Sequence, residues 1–328
     1  MSKPYLNPRM LALYLGPFAA LCAFLLMLQN DGAFAPAVTM AVTLWVVIWW
    51  IFEAIPIPAT SLLPMALLPL FGVLTPKELG AAYGNPLVLL MLGGFILATA
   101  LERSGAHRRI ALYMVRAFGG NSSRRLVFGF MCASAFLSMW ISNTSTTLML
   151  LPVALAALEK SDDPSLASPL LLGIAYAASI GGIGTPIGTP PNMVFMGVYS
   201  EVTGGAISFG QWMLWAIPVV LIMLPIAGLW ITRGVSKSGG VALPESEAWS
   251  TGERRVLIVF SITAALWMTR KGPWGGWSEW LALPYANDAM VAFIAVIALF
   301  VIPSGKQDAE GEPERLLDWQ SAERIPWG

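Results

Sequence analysis

The chain has 328 residues, of which 56% are hydrophobic and 12% charged, and its mean hydropathy is +0.68; an average soluble domain carries about 25% charged residues, so a water-soluble fold is excluded. Nineteen basic and nineteen acidic residues cancel, which leaves no global field to attract nucleic acid, and nucleic-acid binding is set aside. His107 is the only histidine, and Cys22 and Cys132 lie inside apolar runs, which removes most metal-site, disulfide and Ser-His catalytic readings.

A helix needs about 20 mostly apolar residues to cross the hydrocarbon layer, because lipid cannot hydrogen-bond an open backbone. In chain order, spans are expected near 11–28, 37–52, 58–74, 87–102, 169–199, 210–232 and 255–269, with a short eighth near 288–303. The first has an alternative reading: Lys3 and Arg9 precede an apolar run that leads to Ala33-Phe34-Ala35, a small-residue pattern of the signal-peptidase kind. Glu53 and Glu102 sit at span ends and read as interfacial. Trp49, Trp50, Trp212 and Trp215 read as anchors at the membrane surface.

Between Arg103 and Arg125, Ile110, Ala111, Met114, Val115 and Phe118 recur at helical intervals against Arg108, Arg109 and Arg116. The pattern predicts an amphipathic helix lying on the cytoplasmic surface. Residues 126–158 follow, and at 1.5 Å per residue they would make roughly 50 Å of helix, too long for one span and too short for two with a turn. Two half-helices meeting inside the membrane fit that length. Cytoplasmic loops retain Lys and Arg, and with a cytoplasmic N-terminus and a re-entrant 126–158, sixteen of the nineteen basic residues fall inside, leaving Lys77, Arg270 and Lys271 outside. A single crossing there would destroy that segregation.

The middle of the hairpin is Ser138-Met139-Trp140-Ile141-Ser142-Asn143-Thr144-Ser145-Thr146-Thr147, polar yet uncharged. Asn, Ser and Thr favour helix N-caps, so Asn143 to Ser145 is expected to open the second half-helix and aim free N–H groups at the tip, where they and the dipole attract an anion. A continuous helix with hydroxyls bonded back to its own carbonyls is the competing reading. A second breakable run, Ser179 to Asn192, holds four glycines and three prolines. It cannot be ordinary helix, and its exposed carbonyls at membrane depth are oxygen ligands of the kind discontinuous transporter helices offer to sodium. Neither 126–158 nor 169–200 contains Asp, Glu, Lys, Arg or His, which disfavours a proton relay. The same lack of a base counts against an intramembrane hydrolase with Ser138 or Ser142 as nucleophile.

At these residues the sequence resembles the divalent-anion/sodium symporter family, whose members carry dicarboxylates, tricarboxylates or sulfate. Ser142-Asn143-Thr144 is similar to the family's hairpin-tip motif, and Gly188-Thr189-Pro190-Pro191-Asn192 to the loop that breaks the next helix; Glu53 to Thr60 and Gly93-Gly94-Phe95 extend the similarity. The resemblance implies a sodium site from Ser138, Ser142 and Asn143 with carbonyls of Gly184 and Gly188, and a substrate site from Ser142, Asn143, Thr144, Thr189 and Pro190. It implies no catalytic residue and no cofactor beyond sodium as coupling ion, a small divalent anion as partner, a lipid bilayer of the cell inner membrane, and a homodimer in the full-length protein. The implied fold is an all-α polytopic membrane protein, with the first inverted repeat of an ion-transporter-type fold, a re-entrant hairpin, a broken helix and the start of a second repeat.

The expected organisation is an N-terminal helix and loop over 1–36, scaffold helices over 37–75, a transmembrane and an amphipathic helix over 76–125, the hairpin at 126–158, the broken helix and following span at 159–235, and the second repeat from 236 to 328. Leu266-Trp267-Met268, an amphipathic stretch through Leu316, Leu317 and Trp319, and Ile325-Pro326-Trp327 echo the first copy weakly. The family's site uses a second Ser-Asn-Thr motif, and the sequence contains one. The expectation is therefore a truncated chain that does not transport alone. Sodium-coupled transport of a C4 dicarboxylate, related carboxylate or sulfate is the leading functional expectation. A sodium-independent exchanger and a non-transporting relic are the alternatives.

Overall fold

The computed structural model describes residues 7–119, 122–161, 163–235, 248–272, 275–307 and 311–325. Those residues form an all-α polytopic membrane protein with one small strand pair. Four helical stretches are long and apolar enough to cross a membrane: Pro8–Asn30, Phe34–Phe52, Pro76–Ser104 and Phe209–Gly234. The chain divides into two compact units at Asn85 and Pro86.

The first unit holds α1 (Pro8–Asp31), α2 (Phe34–Phe52), α3 (Ile57–Thr60), α4 (Leu62–Leu70) and α5 (Pro76–Tyr83). Asn7 caps α1 by accepting from the Arg9 amide, and Thr75 and Glu78 form a reciprocal capping box on α5. The α1 and α2 helices pack together, and the buried Trp49 indole donates to the Ala12 carbonyl at 3.1 Å. Trp49 is thus an internal tie, not the surface anchor that composition implied, whereas Trp50 is 46% exposed. Val38, Val42 and Val46 pack against Leu63, Leu67 and Leu68 of α4. The span expected at 58–74 is shorter, reaching only from Ile57 to Leu70 and breaking at Ser61. The cause is Pro64, whose ring would strike the carbonyl four residues back, that of Thr60, where α3 ends.

The second unit holds α6 (Pro86–Ser104), α7 (Ala106–Gly119), α8 (Ser123–Ser138), α9 (Asn143–Glu159), α10 (Ala167–Gly182), α11 (Pro190–Thr203) and α12 (Phe209–Ile231), the last followed by a 3-10 turn at Thr232–Gly234. It continues through α13 (Thr251–Thr269), α14 (Trp277–Trp280), α15 (Asp288–Val301), the antiparallel strands β1 (Pro303–Gln307) and β2 (Pro313–Arg315), and α16 (Trp319–Ala322). Ser122, Ser142, Ser208, Ser250, Asn287 and Asp318 each accept a backbone N–H at the start of the helix they precede, so the polar residues punctuating the apolar runs set the helix starts.

Helix α7 follows the predicted apolar stripe, burying Ala106, Ala111, Leu112 and Val115 against α8, while Phe118 stays exposed. Leu97, Val127, Phe130, Leu150, Leu170, Ile174 and Leu299 share the main core. The strand pair is absent from the sequence reading, which expected one amphipathic stretch. Gly305 within β1 and Gly311 before β2 have positive φ, and Leu316 and Leu317 reach the core directly after β2.

Charged groups tie one end of this unit. Arg109 meets Glu253 at 2.8 Å, and Arg103 reaches Glu314 at 2.6 Å and Asp318 at 2.7 Å. Burial pushes the Asp318 carboxyl up, but hydrogen bonds from the Ser321 backbone and hydroxyl, with Arg103 and Arg324 nearby, bring it below the usual aspartate range. A depressed carboxylate stabilises above its unfolded pKa, about 3.9, and loses that contribution as pH falls through the folded value. Protection of amides at residues 316–325 against hydrogen exchange, taken relative to the intrinsic rate at each pH, is therefore expected to fall below about pH 4, before protection in α8 does.

At the other end, Arg270 and Asp288 are both nearly buried and paired two ways, Nε to Oδ1 at 2.5 Å and Nη2 to Oδ2 at 2.9 Å. Trp267 donates to the Asp288 carbonyl at 2.8 Å. Removing one partner strands a buried charge at a cost of about 3–5 kcal/mol, whereas replacing both with apolar groups is often neutral. Asp288→Ala is expected to lower the melting temperature sharply and Arg270→Met with Asp288→Leu to restore most of it, as read by thermal unfolding in detergent.

Candidate functional site

The polar run folds as two helices joined by a four-residue turn. The α8 helix ends at Ser138, Met139 to Ser142 make the turn, and α9 begins at Asn143. Ser142 rather than Asn143 is the N-cap, its hydroxyl accepting from the Ser145 amide at 3.1 Å. The turn is clamped by rings: Trp140 stacks on Phe209 with centroids 6.4 Å apart, Phe209 on Trp267 at 4.8 Å, and Phe260 meets Trp140 edge-on at 5.2 Å. A buried bond from Ser134 to the Ile174 carbonyl at 2.8 Å links α8 to α10.

The second run breaks as composition demands. The α10 helix stops at Gly182, residues 183–189 form an irregular segment, and α11 starts at Pro190, where proline's missing N–H costs nothing. Its freed carbonyls are met by side chains. Asn192 donates to the carbonyls of Gly182 and Thr185, both at 2.8 Å, Trp212 donates to that of Ile183 at 2.9 Å, and Thr185 returns a bond from its hydroxyl to the Met139 carbonyl in the hairpin turn. The two broken elements are therefore stitched to one another.

Close packing at glycine makes the stitch. A Cβ on Gly182 would lie 2.7 Å from Asn143 Oδ1, and one on Gly188 would lie 2.4 Å from the Gly182 carbonyl oxygen. The structure thus brings Ser138, Asn143 and Gly188 to one place, with the Ser138 hydroxyl donating to Asn143 Oδ1 at 2.5 Å. Gly184 packs against Met139 on the flank of the same turn. Thr189 is half-buried, and Thr144 and Pro190 are exposed. Among the described residues no group of three His, Cys, Asp or Glu could hold a metal ion, so a cation here would be coordinated by uncharged oxygens. Hydroxyl, amide and carbonyl oxygens are hard ligands of the sort alkali cations take. The residues present fit such an ion.

A family model described as citrate transporter matches residues 47–309, a range that contains the hairpin, the broken segment and most of the second unit. The chain belongs to the citrate transporter family. Curated relatives include the sodium-dependent dicarboxylate transporters SdcS of Staphylococcus aureus strains MRSA252, bovine RF122 / ET3-1 and N315, each 36% identical over 348 aligned positions. Each alignment covers 99% of this chain and 66% of the relative, so the chain spans just under two thirds of their length. The divalent-anion/sodium symporter resemblance is thereby borne out at the level of family.

Three features of this citrate transporter family member escaped the sequence reading. Asn192 and Thr185 are buried and supply the donors that hold the break; the signal was present, since Asn192 is the only amide side chain in the apolar stretch 169–199. Trp212 is a donor to the break and not an anchor, unlike Trp215, which is 49% exposed. Glu102 lies beside Ser145 in the first turn of α9, a neighbour its place near the end of α6 did not suggest.

The Thr146 hydroxyl, one turn into α9, is fully buried without a hydrogen-bond partner. An unmet buried hydroxyl contributes nothing, and replacing it with a methyl group is neutral or gains about 1 kcal/mol. Thr146→Val is expected to raise or preserve the melting temperature without sodium and to lower the extra stabilisation that sodium gives, if this oxygen completes the cation's shell. Paired melting curves in sodium and choline chloride read both.

Proposed function

We propose that this chain supplies one wall of a sodium-coupled site for a dicarboxylate or kindred divalent anion, and that the protein is a secondary transporter of the cell inner membrane. The observation that carries the reading is the contact of two interrupted helices through Ser138, Asn143, Gly182 and Gly188. The start of α9 offers N–H donors to an anion, and the hydroxyl and carbonyl oxygens around Gly182 offer ligands to a cation. In this reading Ser138, Ser142, Asn143, Gly184 and Gly188 serve sodium, and Ser142, Asn143, Thr144, Thr189 and Pro190 face the substrate. The exposure of Thr144 and Pro190 leaves them open to a ligand. The activity for which the SdcS relatives are named, sodium-dependent dicarboxylate transport, supports the same assignment.

Charge sets the coupling. Moving one elementary charge against 100 mV costs about 2.3 kcal/mol, hence about 4.6 for a dianion. Two sodium ions cancel this, and a third makes import favourable, so more than two sodium ions per dianion are expected. The end of the second unit that gathers Arg103, Arg109 and Arg255 is assigned to the cytoplasm. A homodimer is part of the proposal by its family.

The test is ligand-dependent stability of the purified chain. Sodium is expected to raise the melting temperature, and succinate to raise it further only when sodium is present. Equal stabilisation by succinate in sodium and in choline would replace coupling with exchange. No response to either would remove the site.

A further inference from the structure

A cavity of about 990 Å³ lies between α10 and α12, outside the site described above, and Leu172, Tyr176, Ile180, Met223 and Ile226 line most of it. From Ser168 to Ile180 it follows α10 for twelve residues, roughly 18 Å at 1.5 Å per residue, close to the ~15 Å half-thickness of a bilayer's hydrocarbon core. Beyond Ser168 the long wall is lined by apolar and aromatic side chains. Its mouth is different in kind.

Trp230 and Arg233 stand at the mouth with the guanidinium 3.8 Å from the indole centroid. Beside them Arg124 donates through Nε to the Thr232 hydroxyl at 3.1 Å, and Thr232 in turn donates to the Gly228 carbonyl. Among the described residues Arg233 makes no ion pair, and Arg124 is turned to Thr232 and not to the cavity. Arg233 keeps its in-plane N–H donors while its face rests on the indole. Tryptophan belongs at the level of lipid headgroups, and a cation there attracts anionic ones. A trough one leaflet deep, largely apolar along its length and cationic at its rim, has the shape and charge of one lipid.

We propose that this cavity binds an anionic phospholipid, with an acyl chain lying between α10 and α12 and the phosphate held by Arg233. The site is separate from the ion and substrate residues, so it stands whether or not transport is sodium-coupled. Because α10 ends at the Gly182 break and α12 supplies Trp212 to it, the lipid would brace both helices that carry the irregular segment.

The experiment is native mass spectrometry of the full chain in detergent, titrated with dioleoylphosphatidylglycerol or dioleoylphosphatidylcholine. At least tenfold tighter binding of the phosphatidylglycerol is expected. Arg233→Gln should reduce that preference below threefold, Arg233→Lys should keep most of it, and Met223→Trp, which fills the trough, should weaken both lipids. Arg254→Gln, the same charge change at an exposed position, should alter nothing. Equal affinity of the two lipids for the wild-type chain would overturn the proposal, as would an undiminished preference in Arg233→Gln. Competition by glycerol 3-phosphate as strong as by the lipid would reassign the rim to a free phosphate. Displacement of lipid only as the chain dimerises would reassign the trough to a second copy. Helical circular dichroism of each variant confirms folding, and the lysine variant carries the decision should the glutamine variant misfold.

Discussion

Gly181→Ala is expected to abolish the folded protein, seen as loss of the monodisperse peak on size exclusion and of cooperative melting. The α8 and α10 helices cross at Gly181 so closely that an added Cβ would lie 2.1 Å from the Ala135 carbonyl oxygen and 2.4 Å from its Cα. Those are backbone atoms, which no rotamer change can move. Overpacking a core usually costs about 1–3 kcal/mol; an overlap with backbone belongs at or above the top of that range. Separating the helices would also lengthen the Ser134 bond to Ile174 and loosen the hairpin from the broken segment. The matched control is Gly80→Ala in α5, where an added methyl group meets nothing within 4 Å and a helical Gly to Ala change gains about 0.5–1 kcal/mol. Survival of Gly181→Ala with a melting temperature equal to that of Gly80→Ala would show that the two helices do not cross here.

The other large effect concerns Asn143. Asn143→Ala is expected to weaken the sodium-dependent stabilisation about 10- to 100-fold in apparent affinity, because a hydrogen bond or ligand to a charged group is worth about 1.5–3 kcal/mol and each 1.4 kcal/mol is tenfold. The substitution also frees the Ser138 hydroxyl, whose acceptor is Asn143 Oδ1. Succinate should lose its effect together with sodium, since the proposed sodium and substrate sites share that one carboxamide. Asn143→Asp separates the two roles: a carboxylate keeps an oxygen for the cation but repels a dianion, so sodium stabilisation should persist while that of succinate disappears. Unchanged sodium and succinate titrations in Asn143→Ala would remove Asn143 from the site.

Much of this arrangement can be read from residue order alone, because in lipid the backbone itself is the constraint. Seven of the eight expected spans coincide with helices or helix pairs in the structure, since an apolar run bounded by Ser, Asn or Pro has few other options. The exception, 58–74, shows what apolarity hides: Pro64 breaks the helix although hydropathy does not change there. The two interruptions that make up the candidate site were legible where they needed unusual composition, at Ser142-Asn143 and at the glycines of 181–188. It was illegible where ordinary residues act through position. Nothing about Trp212 in sequence separates a donor to Ile183 from an interfacial anchor such as Trp215, and Glu102 looks like any helix-end carboxylate until α9 is placed beside it. The β1–β2 pair was missed for a related reason. Strands of five and three residues are too short for alternation to register.

The ring sequence Trp140, Phe209 and Trp267 joins the hairpin turn to α12 and α13. In the proposed site, an ion taken up beside Asn143 would move the turn together with the indole at each end of that stack. The molecule carries its own optical gauge: a shift in tryptophan emission that tracks sodium, and that fades when Phe209→Leu interrupts the ring contacts, would time the event at the turn without any attached dye.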